Sequence, residues 1–235
     1  MRHLRRVYYN GPVENIKESD VIELGESESR KLKTVLRANI GDTCEVLTPT
    51  HLCFGEIFIS SKKSVQVRIT ESREINLLDY NLIAYQCIAK REYMDVIIEK
   101  YSELGVSEVY PVISSRSLDV NKSNTMDRYN QIAIDSSLQC EREQVLKIND
   151  PIKIERIKLK TKENFLFHER LGEKVMPEIS GRDISFIIGP EGGFTDKEYN
   201  HLINIGFKAY TPIDTILKAE TAAVLFAGMI KLNLK

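Results

Sequence analysis

The run Gly189-Pro190-Glu191-Gly192-Gly193 is the stretch of this sequence best equipped to meet a ligand. Glycines let a backbone approach a bound molecule closely and reach positive φ, and Pro190 stiffens the run. A phosphate cradle is the first chemistry to test. It wants Gly-x-x-x-x-Gly-Lys-Ser/Thr and no anion inside the loop. Here Glu191 stands mid-loop and no Lys follows, which disfavours phosphate and suits a neutral or cationic ligand. A glycine turn with a solvated Glu stays open as the alternative. Three further places hold polar groups of interest. Ile216-Leu217-Lys218-Ala219-Glu220-Thr221-Ala222-Ala223 carries both signs of charge near the C-terminus. Arg142, between Glu141 and Glu143, reads equally as a substrate-facing donor and as a surface arginine. His168, within Phe167-His168-Glu169, is a candidate to line a pocket, although a lone His is more often structural.

These residues need elements to hold them. Ile184 and Phe186 to Ile188 read as a short buried strand that runs into the glycine loop. Thr195 then opens a helix to Ile205, with Glu198 three residues on in the pattern of a capping box, and Gly206 ends it. In such strand, loop and helix units ligands bind at the carboxyl end of the strand. Asn164 to His168 is the expected strand before this unit and Phe207 to Tyr210 the one after. The loop Thr211 to Leu217 leads into a last helix, Ala219 to Leu234, whose Ala219, Ala222, Ala223, Ala227 and Gly228 permit close packing. Upstream, Leu82–Ile88 reads as a strand. Arg91 to Leu104 is a helix with Met94, Ile97, Ile98, Tyr101 and Leu104 in one stripe. Gly105 closes it, and Val109 to Ile113 is the next strand. Met126 to Leu138 is helical, with Met126, Tyr129, Ile132 and Ala133 near one face. Lys153 to Lys162 is a solvated helix or loop.

The first 70 residues read differently, as mostly β. Strands are expected at Cys44–Leu47, Cys53–Ile59 and Val65–Ile69, the last with Val65, Val67 and Ile69 alternating against Gln66 and Arg68. Ser27 to Arg37 reads as a short helix with Ser27 as N-cap and Leu32, Val35 and Leu36 facing inward. A small β-barrel with one helix fits this pattern. Arg2, Arg5 and Arg6 beside Tyr8 and Tyr9 can hold phosphates and stack bases, or can be a strand with solvated charges. Glu71 to Asn76 is the candidate linker to the alternating α and β half.

Composition narrows the classes. The chain has 235 residues, 42% apolar and 29% charged, as a globular protein of one large or two small domains would. Four scattered cysteines without a Cys-x-x-Cys pair suggest neither zinc nor a disulfide framework. Reduced thiols and a cytoplasmic setting are expected. No run reaches membrane-spanning length. A formal net charge of −1 leaves RNA binding to a local patch.

The motifs together are more specific than any one of them. Gly189 to Phe194, followed by Ile216-Leu217-Lys218-Ala219-Glu220-Thr221-Ala222, resembles the SPOUT-class methyltransferases, and within them the family that methylates N3 of a uridine in small-subunit (16S) ribosomal RNA. Lys100-Tyr101-Ser102-Glu103-Leu104-Gly105-Val106, Pro111, Ser115-Arg116-Ser117, Gln139 with Arg142, and Val35-Leu36-Arg37 with Gly41-Asp42 are similar to further motifs of that family. The chain departs from it at Lys31 (His in the family), Cys140-Glu141 (Ser-Gly), Thr215 and Lys218 (two arginines) and Ala219 (Thr). The resemblance implies a PUA-like RNA-binding barrel over residues 1–72 and an α/β domain with a trefoil knot over 73–235. It implies S-adenosylmethionine as cofactor, held by Phe167, His168, Glu169, Ile188, Gly189, Pro190, Glu191, Gly192, Gly193, Ile213, Leu217, Ala219, Thr221 and Ala222. Arg142, Lys218 and Glu220 are the expected catalytic residues, and Arg2, Arg5, Arg6, Lys31, Arg37 and Arg116 the expected RNA contacts. The partners it implies are 16S rRNA in the assembled small subunit and a second copy of the chain, with no metal and no membrane. A relative with another RNA target, or an RNA-binding relative without catalysis, are the alternatives.

Overall fold

The computed structural model describes residues 5–11, 16–61, 64–118, 124–171 and 173–234. The chain divides into two compact units: residues 1–77 with 141–144, and residues 78–140 with 145–235.

Unit one contains β1 (Arg6–Tyr8), β2 (Val21–Leu24), a short helix α1 (Glu26–Arg30) continued by a π-helical turn (Lys31–Val35), then β3 (Thr43–Leu47), β4 (His51–Ser60) and β5 (Val65–Glu74). The strand order is β1-β3-β4-β5-β2, with β1 parallel to β3 and the other pairs antiparallel. Register shifts at Phe54/Gly55 and Ile57/Ile59 bend β4, as bulges do. Val65, Val67 and Ile69 face the core with Val7, Leu24, Leu32, Val46 and Ile57, so the alternation in the sequence holds.

Three expectations change here. Gly25, not Ser27, is the N-cap of α1, and Ser27 lies in its first turn. The π-helical turn widens the helix, which leaves Leu32 buried but turns Val35 outward to 70% exposure. Glu71–Glu74, expected as linker, continues β5, because its backbone pairs with His51–Phe54 even though its side chains are polar. Inside this unit Glu143 accepts from both Arg73 guanidinium nitrogens at 2.8 and 2.6 Å and from the Asn76 amide at 2.7 Å. These bonds fasten the 141–144 segment to the end of β5.

Unit two holds β6 (Asn81–Cys87), α2 (Arg91–Glu103), β7 (Glu108–Ile113), α3 (Asn124–Gln139), β8 (Lys147–Ile148), β9 (Ile152–Lys153), β10 (Glu163–Phe167), β11 (Asp183–Ile188), α4 (Asp196–Asn204), β12 (Lys208–Tyr210) and α5 (Ala219–Asn233). Its sheet is parallel throughout, in the order β12-β10-β11-β6-β7-β8, with β9 also on β7. Parallel strands are covered on both faces, so their sequences are apolar at successive positions. Leu82, Ala84, Phe165, Ile184 and Phe186 point to one core, with Met94, Ile97, Ile98 and Tyr101 of α2 and Ala223, Ala227 and Ile230 of α5. Ile83, Tyr85, Leu166 and Ile187 point to the other, with Leu202 of α4 and Ile154 and Ile157 from the segment after β9. That segment, part of the lysine-rich stretch, therefore contributes to the core as well as to the surface. Gly105 ends the α2 hairpin at φ 77°, a left-handed position where a side chain would also strike the Tyr80 hydroxyl.

Candidate functional site

The loops that leave the carboxyl ends of β10, β11 and β12 converge on one cavity of about 550 Å³. The first wall is the glycine loop after β11. Thr195 caps α4: its hydroxyl accepts from the Glu198 amide, and the Glu198 carboxylate accepts from the Thr195 amide at 2.8 Å, the reciprocal box expected from the sequence. The same carboxylate accepts from the Ser115 amide at 2.7 Å and so ties the loop after β7 to α4. Burial raises the carboxyl pKa of Glu198, but these hydrogen bonds prevail and hold it below the usual range. Arg116, in that second loop, donates from Nη1 to the Gly192 carbonyl at 2.6 Å. Gly193 sits at φ 68°, and a Cβ there would lie 3.1 Å from Glu169 Oε1, so the turn requires glycine. Glu191 does more than meet solvent: its carboxylate accepts from the Lys90 amide at 3.2 Å, at the N-terminus of α2, where a negative charge is favoured.

The second wall is the Phe167-His168-Glu169 segment. Phe167 stacks on Phe226 of α5 at 3.8 Å between centroids. The His168 Nδ1 atom accepts from the Arg170 and Leu171 amides at 3.0 and 3.1 Å. Nδ1 also lies 3.5 Å from a Glu169 oxygen. An atom that accepts two amide protons carries none itself, so this contact is not an ion pair and the ring proton sits on Nε2. Burial accordingly lowers the imidazole pKa, against the opposing charge of Glu169.

The third wall runs from Thr211 into α5. Two oxygens that are buried here, Thr211 Oγ1 and Glu220 Oε2, have no hydrogen-bond partner among the described residues. Buried polar atoms are ordinarily paired. Both residues line the cavity, so these are polar groups beside it that folding leaves without a partner.

Comparison with known proteins places the chain. Residues 76–231 match the RNA methyltransferase domain family. Ribosomal RNA small subunit methyltransferase E of Buchnera aphidicola subsp. Acyrthosiphon pisum is 30% identical over 214 residues, covering 86% of this chain and 84% of that protein. Its namesake in Rickettsia conorii is 27% identical over 97% of this chain and 95% of its own. The chain belongs to this RNA methyltransferase family. A ribosomal RNA small subunit methyltransferase E from Neisseria gonorrhoeae, crystallised with S-adenosylmethionine, has the same fold: TM-score 0.86 at 24% identity, covering 99% of this chain and 98% of that one. So does a Legionella pneumophila protein crystallised in complex with the same cofactor, at TM-score 0.87 and 24% identity over 98% of both chains.

Against this family setting, most of the expected cofactor residues lie together. Phe167, His168, Glu169, Ile188, Gly189, Pro190, Glu191, Gly192, Gly193, Ile213, Leu217, Ala219 and Ala222 all line the cavity, as do Lys218 and Glu220. Thr221 does not. It is exposed, because the rotation of about 100° per residue in α5 turns it away from the side that Ala219, Ala222 and Phe226 share. Arg142 lies half-buried in the 141–144 segment of unit one and is not among the lining residues. The sequence reading missed Lys90, Tyr93, Phe194, Thr211, Pro212 and Phe226, which line the cavity too, as do Thr215 and Ile216. A signal existed for 211–216: it follows a strand in an alternating α and β pattern, and all such loops gather at one end of the sheet.

The expected RNA contacts fare less uniformly. Arg6 is 7% exposed and pairs with Glu45 at 2.6 Å. The parallel register of β1 on β3 sets these two residues directly opposite, so the charges find each other instead of a phosphate. Arg5 pairs with Asp42 at 3.1 Å. Arg116 braces Gly192 as described. Lys31 is half-buried in the π-helical turn. Arg37 is exposed, at φ 48° in the left-handed region. Arg2 lies outside the described residues. Among the described residues no helix is long and apolar enough to cross a membrane.

Proposed function

We propose that this protein transfers a methyl group from S-adenosylmethionine to N3 of a uridine in 16S ribosomal RNA. The observation that carries the reading is the carboxyl-end cavity of a family member, with a glycine loop on one wall and two orphaned buried oxygens on another. The residues present fit the cofactor. Phe167, Ile188, Leu217 and Phe226 give an apolar slot for a planar base, and the lining of the Gly192-Gly193 turn leaves the backbone open to close approach. Thr211 Oγ1 and Glu220 Oε2 accept from hydroxyl or amino donors. Glu169, Glu191 and Glu220 favour a positive ligand over an anion.

Bound there, S-adenosylmethionine supplies a methyl group that its sulfonium already makes electrophilic. The chain's task is then position: uridine N3 must be held in line with that methyl. N3–H gives up its proton to solvent water, and as it does so negative charge grows on the flanking carbonyl oxygens until N3 takes the methyl. Lys218, exposed at the cavity and N-cap of α5, is our first candidate to donate to one of them. Arg142 is the second. If Arg142→Ala methylates ribosomal subunits as the wild type does, Arg142 leaves the mechanism.

The same reading extends to architecture and partners. We infer a trefoil knot in unit two, a reading supported by the resemblance of its motifs to the SPOUT class and by membership of the RNA methyltransferase domain family. We assign unit one to a PUA-like RNA-binding barrel and unit two to the methyltransferase domain; the boundary expected between 72 and 73 would cut β5, which runs to Glu74. In the barrel, exposed Arg37 with Lys31 is the proposed RNA contact. A cytoplasmic homodimer acting on the assembled small subunit completes the proposal, supported by Leu232 of α5 and Val96 of α2, apolar side chains that stay 86% and 42% exposed.

The test is nucleoside mass spectrometry of 16S rRNA from cells that lack the protein. One 3-methyluridine disappears and returns with the wild-type chain but not with Gly193→Val. An unchanged 3-methyluridine content overturns the proposal.

A further inference from the structure

We propose that His168 is a positioning residue that holds the wall of the cavity in its binding shape only while its imidazole is neutral. The inference rests on the reading that the cofactor occupies this cavity. Its basis is geometric. The His168 side chain is 7% exposed and sits where β10 gives way to the Glu169–Leu171 turn. Its Nδ1 takes both the Arg170 and the Leu171 amide protons, at 3.0 and 3.1 Å, and these are the bonds that close the turn. The backbone of the strand end is fixed separately, by the His168 amide on the Tyr210 carbonyl at 3.0 Å. Glu169, carried on the turn, packs its carboxylate against Gly193 of the glycine loop. The imidazole thus shapes two walls of the cavity through hydrogen bonds that only an unprotonated Nδ1 can accept.

A proton on Nδ1 turns the acceptor into a donor facing two donors. Both hydrogen bonds are lost and the turn is free to open. The charged and titratable groups around the ring are few. Glu169 and Arg170 stand on its own turn, with opposite signs. From α4 comes Tyr199, edge-on with ring centroids 5.5 Å apart, and from the glycine loop Phe194, at 6.5 Å and without charge. Lys90, Glu191, Lys218 and Glu220 line the same cavity. Among the described residues only Glu169 offers the imidazolium a nearby counter-charge, at 3.5 Å, and burial outweighs it, so the ring titrates below its ordinary value of 6.5. The sign follows. A depressed pKa means that the neutral ring's contribution is complete above 6.5 and is lost as pH falls through the folded value.

The experiment has two arms. In the ligand-free protein, imidazole ¹⁵N NMR is expected to show His168 as the Nε2–H tautomer at pH 8. On acidification the Arg170 and Leu171 amide signals are expected to move together with the ring. An Nδ1–H tautomer at pH 8, or amides indifferent to the ring's titration, overturns the inference without reference to any cofactor. In the second arm, S-adenosylhomocysteine affinity is measured by calorimetry from pH 8 to pH 5.5. His168→Ala is expected to bind about ten-fold more weakly at pH 8, the weight of two modest hydrogen bonds. His168→Asn, whose Oδ1 stands the same number of bonds from Cα as Nδ1 and cannot be protonated, is expected to recover most of that loss. The ratio of wild-type to His168→Asn affinity should fall with pH, since titration of the ligand itself cancels. A flat ratio, or an alanine variant equal to wild type, overturns the role of His168. A wild type that does not bind at pH 8 overturns the cofactor reading itself.

Discussion

Two hollows of nearly equal size open at opposite ends of the unit-two sheet, about 550 Å³ at the carboxyl ends of the strands and about 570 Å³ at the amino ends. Their chemistry is opposite. At the amino end the polar groups satisfy one another: Arg182 pairs with Asp79, the Asn81 amide donates to Asp183 at 3.0 Å, and the Ser180 hydroxyl donates to Glu163 at 2.7 Å. At the carboxyl end aromatic and aliphatic side chains surround Thr211 Oγ1 and Glu220 Oε2, which have no partner among the described residues. Size therefore does not mark the site. What separates the two is that residues lining the carboxyl-end hollow hold two buried polar atoms without partners, a cost of folding that a ligand can offset.

Four substitutions break or sharpen that contrast. The largest effect is expected from Gly193→Val. A β-branched residue at φ 68°, pressed toward Glu169, distorts the glycine loop, and S-adenosylhomocysteine affinity should drop by about a hundred-fold or more while the far-ultraviolet circular dichroism stays native. Next is Glu198→Ala, which strips the Ser115 and Thr195 amides of a buried charged acceptor. Urea denaturation should show a loss of about 2 kcal/mol. Because the Glu198 carboxyl is held below its ordinary 4.5, its share is complete above pH 4.5 and vanishes as pH falls through the folded value. The gap between wild type and Glu198→Gln should therefore narrow in acid; a gap that does not change with pH contradicts the assignment. Third, Thr211→Val removes an orphan. Affinity should fall about five-fold, while the ligand-free protein keeps its stability or gains up to about 1 kcal/mol. A Thr211 variant that is less stable without ligand would mean that the hydroxyl is already satisfied. The smallest change is at the closed end. Asp183→Ala should cost about 1 kcal/mol, with cofactor affinity unaltered; weakened binding would show that the two ends are not independent.

The site was legible in the sequence where backbone geometry decides it. Gly189 to Gly193, the Thr195 and Glu198 box, and the strands Glu163–Phe167 and Asp183–Ile188, each within a residue of its expected place, follow from residue types whose conformational rules are local. Long-range pairing was not legible. Arg6 reads as a phosphate contact until the β1–β3 register sets it against Glu45. Glu71–Glu74 reads as a linker until its backbone pairs with β4. Arg116 carries no local hint that its partner is the Gly192 carbonyl, 76 residues away. Thr221 shows a different effect: it belongs to the same short motif as Glu220 and Ala222, but the helical step turns its side chain outward.

Titration calorimetry of the purified protein with S-adenosylmethionine and S-adenosylhomocysteine, with Gly193→Val alongside, tests the central claim most directly. The account predicts saturable binding of one ligand per chain by the wild type and none by the folded variant. A folded wild type that binds neither ligand, or a Gly193→Val protein that binds as well as the wild type, would contradict it.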